Sequence, residues 1–354
     1  MTLDRRIVLG GGLALAACDR RADAQIPGGQ TPVAIPPLRS AAAFPVGVCV
    51  QEEQLGDPSL VPLIASQISQ VTPEWEMKME YIVKDDGSFR FEAPDRIAAF
   101  AKANGMRLFG HTLIWYAQVP GAFERLDEKR AKFADAYRNY ILAVAGRYRG
   151  QAVGWDVVNE AVAEDGNGWR DSLWSKKLGK LRHMVLAFQH AREADPDAVL
   201  FLNDYNLENL PKKRATFMKL VEALLKAGAP IGGVGTQTHL AADLAPGEIT
   251  RALKDLASLG LAVHVSEMDV SLTRSRGVLK DRNKLPAGQS RLYAEAAEAF
   301  SSLPAAQRFA FTHWGLRDKD SWLKRENPAD APLLFDDAGR PKAAAAAWIG
   351  GLRA

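Results

Sequence analysis

The chain has 354 residues, 47% hydrophobic and 25% charged, with a formal charge of +3. These are ordinary globular values, and the small net charge without a polybasic tract excludes a nucleic-acid footprint. Six histidines and two cysteines show neither CxxC nor HExxH spacing, so no structural metal site is expected.

The first element in chain order is an address. "MTLDRRIVLGGGLALAACDRR" sets a charged start before an apolar run over 7–17 that is too short to span a bilayer as a helix, so residues 1–24 read as an export signal. Arg5 and Arg6 give it a twin-arginine character. "LAAC" resembles a lipobox, which would make Cys18 a lipidated first residue, whereas "ADA" at 22–24 offers a rival, soluble cleavage site. The protein is therefore expected in the periplasm, the cell envelope or the medium, touching membrane only through a lipid on Cys18. Cys49 would have no disulfide partner in the mature chain.

The Pro- and Gly-rich stretch 25–40 reads as a linker to a catalytic domain over 41–354. From there, strand-like runs alternate with amphipathic stretches. The expected strands are 44–50, 67–73, 106–115, 152–160, 198–206, 232–240, 261–270 and 308–316. Helical patterns such as "PDRIAAFAKANG" and "ITRALKDLASLG" lie between them, the latter stopped by Gly260. Strict alternation predicts an α/β fold of parallel strands, and eight units without an early GxGxxG fit a single (β/α)8 TIM barrel rather than a doubly wound sheet.

Polar residues gather at the C-terminal ends of these strands, the rim where barrels build active sites. Lys78 follows the second strand. His111 and Trp115 lie on the third, Asn159 and Glu160 on the fourth, Asn203, Asp204 and Tyr205 on the fifth. Gln237 and His239 end the sixth, Glu267 and Asp269 the seventh, Trp314 the eighth. A lone Glu160 after "WDVVN" could simply cap the next helix, but capping does not explain so many polar ends at once. Two glutamates on strands four and seven, with indole walls, suit acetal cleavage: one acid protonates the leaving oxygen and the other attacks or stabilises the anomeric centre. Lys78 is the one lysine to weigh for a Schiff base.

The motifs "TPEWEMKME", "GHTLIWYAQVP", "WDVVNEAV", "NDYN", "GTQTHL", "SEMDV" and "WGLRDKDSW" resemble, in order and spacing, the strand-end motifs of glycoside hydrolase family ten across roughly 40–350. The family's usual activity is endo-1,4-β-xylanase. The resemblance implies a retaining double displacement with Glu160 as acid/base and Glu267 as nucleophile, His239 and Asp269 supporting the latter. It implies sugar-hydroxyl contacts from Lys78, His111, Asn159 and Gln237. Trp314 and Trp322 would wall the glycone side beside Trp115 and Gln118, with Trp75 and Met79 flanking the second glycone subsite, Glu74 among the substrate-binding residues and Tyr205 on the aglycone side. Trp322 and Gln118 would supply the bulk that excludes a hydroxymethyl group. No cofactor is needed, and the expected partners are xylan and xylo-oligosaccharides met by a monomer.

The chain departs from the family pattern at Trp75 (usually Asn), Met79 (usually Trp), Tyr116 (usually His) and Ser266 (usually Thr). The expectation at Trp75 is a narrowed glycone cleft, with a sugar-stacking platform as the alternative. Trp155, Trp174 and Trp348 are expected in the core, and His183, His190, His264 and His313 are expected to be structural or solvated. A hydrolase of another β-linked glycan and a silent carbohydrate-binding barrel are the competing readings.

Overall fold

A computed structural model describes residues 34–126, 130–274 and 282–354. The export-signal reading of 1–24, including Cys18, and the linker up to residue 33 lie outside the described residues. The end of the expected linker is a correction. Leu38–Ala41 forms a short helix whose Leu38 is fully buried, and the Leu38 N–H donates to Gln67 Oε1 at 3.0 Å. An apolar side chain with a cavity to fill outweighs the local Pro-rich composition.

Among the described residues nine strands follow: β1 Val46–Val50, β2 Gln70–Pro73, β3 Arg107–Trp115, β4 Ala152–Asn159, β5 Val199–Asp204, β6 Gly233–Thr236, β7 His239–Ala241, β8 Ala262–Ser271 and β9 Arg308–His313. All pair in parallel. β1 joins both β2 and β9 while β6 joins β8, so the sheet closes into an eight-stave barrel. The single strand expected over 232–240 is two pieces, because Thr238 adopts a left-handed conformation (φ 59°) that breaks the ladder before β7 resumes beside β8.

The helices cover the barrel by burying one stripe each. In Glu248–Ala257 the buried residues are Ile249, Ala252, Leu253 and Leu256, the spacing of one helical face, and Gly260 beyond it takes φ 73° as a stop. Trp155, Trp174 and Trp348 are buried as expected. The barrel floor is aromatic: Phe109 and Phe201 flank His264 with ring centroids 4.6 and 5.7 Å away. Close packing there requires Gly233, where an added Cβ would stand 2.1 Å from the Phe201 ring. Burial pushes His264 and His313 each down to about 3, so both are neutral packing groups, His264 inside the barrel and His313 between the barrel and the helices that carry Tyr293 and Trp348.

The register slips where the chemistry sits. Val265 pairs Phe311 but Met268 pairs His313, an extra residue on β8. The same excess appears on its other side, where Thr236 pairs Val265 but His239 pairs Asp269. Glu267 lies inside this bulge, a device that re-aims a side chain at a barrel rim. β4 bulges likewise between Asp156 and Val158, just before Glu160.

Candidate active site

A cavity of about 440 Å³ opens at the C-terminal rim. Of the fifteen catalytic and substrate-binding residues expected from the sequence, twelve line it: Lys78, His111, Trp115, Asn159, Glu160, Tyr205, Gln237, His239, Glu267, Asp269, Trp314 and Trp322. Three do not. Glu74 is turned into the wall, where its carboxylate accepts from Arg325 Nη2 at 2.8 Å and Gln51 Nε2 at 3.0 Å. Gln118 is exposed in a left-handed conformation beyond β3. Trp75 is 39% exposed and packs edge-on against Tyr81, so its indole lies outside the cavity and the expected narrowing is absent there. Met79 is buried beneath that turn and presents no subsite surface.

The two glutamates are joined by a relay of amides. Gln237 Nε2 donates to Glu160 Oε1 at 3.0 Å, and Asn159 Nδ2 donates to the same oxygen at 3.2 Å. Asn203 Nδ2 bridges Asn159 Oδ1 and Glu267 Oε1, each at 2.9 Å, and Ser266 Oγ donates to Asn203 Oδ1 at 2.8 Å. Ser266 thus keeps the hydroxyl that orients the bridging amide. Asn203 stands in the strand-end cluster, yet no pattern in the sequence marks it as the link between the carboxylates.

On the other side of Glu267, His239 Nε2 lies 3.4 Å from Glu267 Oε2, and its Nδ1 lies 2.9 Å from Asp269 Oδ2. Trp322 Nε1 donates to that same Asp269 oxygen at 2.8 Å. The adjacency follows from register, since His239 and Asp269 are direct partners on β7 and β8. Under the cavity, His111 Nδ1 lies 2.8 Å from Asp156 Oδ2, and both residues are buried. Asp156 was not singled out; its place four residues before Glu160 on β4 puts it one layer deeper in the barrel.

These neighbours drive the two acids in opposite directions. Burial raises the Glu160 carboxyl above its ordinary value, the Gln237 hydrogen bond opposing and the charges of Asp204 and Glu267 adding. Burial also works against the Glu267 charge, but His111, His239 and Lys78 together hold it below the ordinary value. Burial opposes the His239 charge too, and Asp269 with Glu267 overcomes it, lifting the imidazole to about 10. His239 is therefore an imidazolium at neutral pH. The donor atoms of His111, Asp156 and Glu267 fall within 4.8 Å of one another. Their contacts are with each other and with Asn203 and His239, which makes the cluster an orienting network.

The flank around Tyr205 rests on a buried ion pair. Lys213 Nζ lies 2.9 Å from Asp204 Oδ1, both side chains are fully buried, and the ammonium sits 3.4 Å from the centre of the Tyr205 ring. Removing one partner strands the other's charge. Lys213→Met should lower unfolding stability by about 3–5 kcal/mol, measured by urea denaturation; a loss within the range of ordinary surface changes would contradict the pairing.

A parallel barrel that presents two buried acids of opposed strength in an indole-walled cleft is the equipment of a glycoside hydrolase. The family model for glycosyl hydrolase family 10 matches residues 38–350, and the chain belongs to that family. It is 35% identical over 322 residues to endo-1,4-beta-xylanase B of Paenibacillus barcinonensis, covering 87% of this chain and 96% of that one. It is 35% identical over 315 residues to endo-1,4-beta-xylanase A of Caldicellulosiruptor sp. (strain Rt8B.4), covering 84% of this chain and 45% of the relative. The chain thus spans less than half the length of that relative. The structure of a thermostable mutant of a xylanase from Cellvibrio japonicus superposes with a TM-score of 0.83 at 31% identity, covering 90% of this chain and 100% of that one.

Proposed function

We propose that the chain is an endo-1,4-β-xylanase that cleaves internal bonds of xylan with retention of anomeric configuration. The observation that carries this is the opposed tendency of the two acids, Glu160 held toward its protonated form and Glu267 toward its ionised form in one cavity. Glu160 protonates the leaving oxygen while Glu267 attacks the anomeric carbon. Water, deprotonated by Glu160, then releases the sugar from Glu267. In this reading Lys78, Asn159 and Gln237 meet the sugar hydroxyls and Trp314 and Trp322 the apolar sugar faces, which is supported by all five lining the cavity. The names of the relatives support xylan as the substrate.

The test is reducing-end release from β-1,4-xylan against β-1,3-xylan, with the first-formed anomer read by NMR. Mixed-length oligomers from the β-1,4 polymer, released first as the β-anomer, are expected. Preference for the β-1,3 polymer, or a first-formed α-anomer, would overturn the substrate or the mechanism respectively. The export reading rests on the sequence of 1–24: membrane-partitioned wild type released by Cys18→Ser would support lipidation, and a soluble chain beginning at Gln25 would oppose it.

A further inference from the structure

Glu160 carries an unusual backbone. Its φ is 58°, in the left-handed region that a residue with a Cβ enters at a cost, and such conformations persist only where the surroundings fix them. Two contacts do so. The Glu160 N–H donates to the Asn203 carbonyl at 2.8 Å, and the Glu160 carbonyl accepts from Arg170 Nε at 2.9 Å.

Arg170 reaches that carbonyl because the chain after β4 folds back on itself. Val162 bridges Trp169 in antiparallel fashion, Ala163 N–H donates to the Gly168 carbonyl, and Arg170 N–H donates to the Ala161 carbonyl. Gly166 (φ 71°) and Gly168 (φ 90°) make the reversal, and Asp165 caps its tip by accepting from the Asn167 N–H.

The same guanidinium grips the flank where the leaving group would lie. Its Nη2 donates to the Tyr205 hydroxyl at 3.0 Å and stands 3.7 Å from Glu164 Oε2, while its carbon lies 4.1 Å from the centre of the Tyr116 ring. Tyr116 and Tyr205 both line the cavity, and Arg170 itself forms part of a small crevice behind Glu160. A planar fork can hold a carbonyl, a hydroxyl and a ring face together, which an ammonium cannot.

We propose that Arg170 is the positioning residue of the acid/base: by clamping the Glu160 carbonyl it aims the carboxyl at the leaving oxygen, and by holding Tyr116 and Tyr205 it registers the aglycone against that acid. The inference rests on the assignment of Glu160 as acid/base, and the experiment separates the two. A substrate with a poor leaving group needs the proton, whereas a 2,4-dinitrophenyl xylobioside does not, so a misaimed acid shows as a leaving-group effect on kcat/KM.

The experiment compares Arg170→Met, Arg170→Lys and Glu160→Ala on xylotetraose and on the dinitrophenyl substrate, with thermal midpoints for each. Arg170→Met should lose on the order of ten- to a hundredfold in kcat/KM on xylotetraose, the scale of a small displacement of a catalytic group. It should change little on the activated substrate, and Arg170→Lys should recover part of the loss. Retained activity on the activated substrate also reports that the variant is folded. Equal losses on both substrates, with Glu160→Ala still discriminating between them, would overturn the positioning role. Equal losses for Glu160→Ala itself would overturn the assignment of the acid/base on which it rests.

Discussion

Glu267→Ala should abolish turnover of xylan, with kcat falling on the order of 10⁴-fold or more, as expected when a covalent nucleophile is deleted. The structure favours a specific rescue. Truncation removes one carboxylate but leaves His239, an imidazolium tied to Asp269, and Lys78 at the edge of the vacated space. Those charges suit a small anion. Azide should therefore restore part of the activity on an aryl xylobioside by attacking the anomeric carbon from the emptied face, giving an α-configured glycosyl azide detectable by NMR. A β-configured azide, or near wild-type turnover without azide, would show that another group attacks.

The fold was legible because its signals are local and repeated. Alternating strand and helix periodicity predicts parallel staves, and turn residues such as Gly260 mark where helices end. The sixth stave misled because its break depends on Thr238 adopting a left-handed conformation, which its residue type does not announce. Leu38 misled for the opposite reason, its tertiary burial outweighing a linker-like composition.

The site was legible as strand-end residues but not as a network. The motif order points to Glu160, Glu267, His239 and Asp269. The link through Asn203 and the Arg170 clamp depend on bulges and a loop reversal that join distant positions. Trp75 and Glu74 show the converse limit. Both occupy motif positions, yet a turn after β2 sends Glu74 to Arg325 and leaves Trp75 on Tyr81, outside the cavity. Sequence spacing fixes which strand end carries a residue, while the direction of its side chain depends on partners that spacing does not encode.

Glu160→Ala should separate substrates by leaving group and reshape the pH profile. Productive enzyme needs Glu267 ionised and Glu160 protonated. In kcat/KM the acid limb therefore reports Glu267, held below the usual carboxylate range by His111 and His239 against burial, and the alkaline limb reports Glu160, raised above it chiefly by burial. Removing Glu160 should cost on the order of 10²- to 10⁴-fold in kcat/KM on xylotetraose, the usual worth of a general acid. The dinitrophenyl xylobioside should be nearly spared in kcat/KM, and its alkaline limb should disappear. Azide should now raise kcat and give the β-configured product, because it replaces the water that Glu160 would have activated on the glycosyl-enzyme. Gln237→Met supplies a signed control. Gln237 donates to the Glu160 carboxylate, which favours its charged form. Removing that donor should keep Glu160 protonated to higher pH and move the alkaline limb upward in the wild-type background. A downward shift, or an alkaline limb that survives in Glu160→Ala on the activated substrate, would assign that limb to another group.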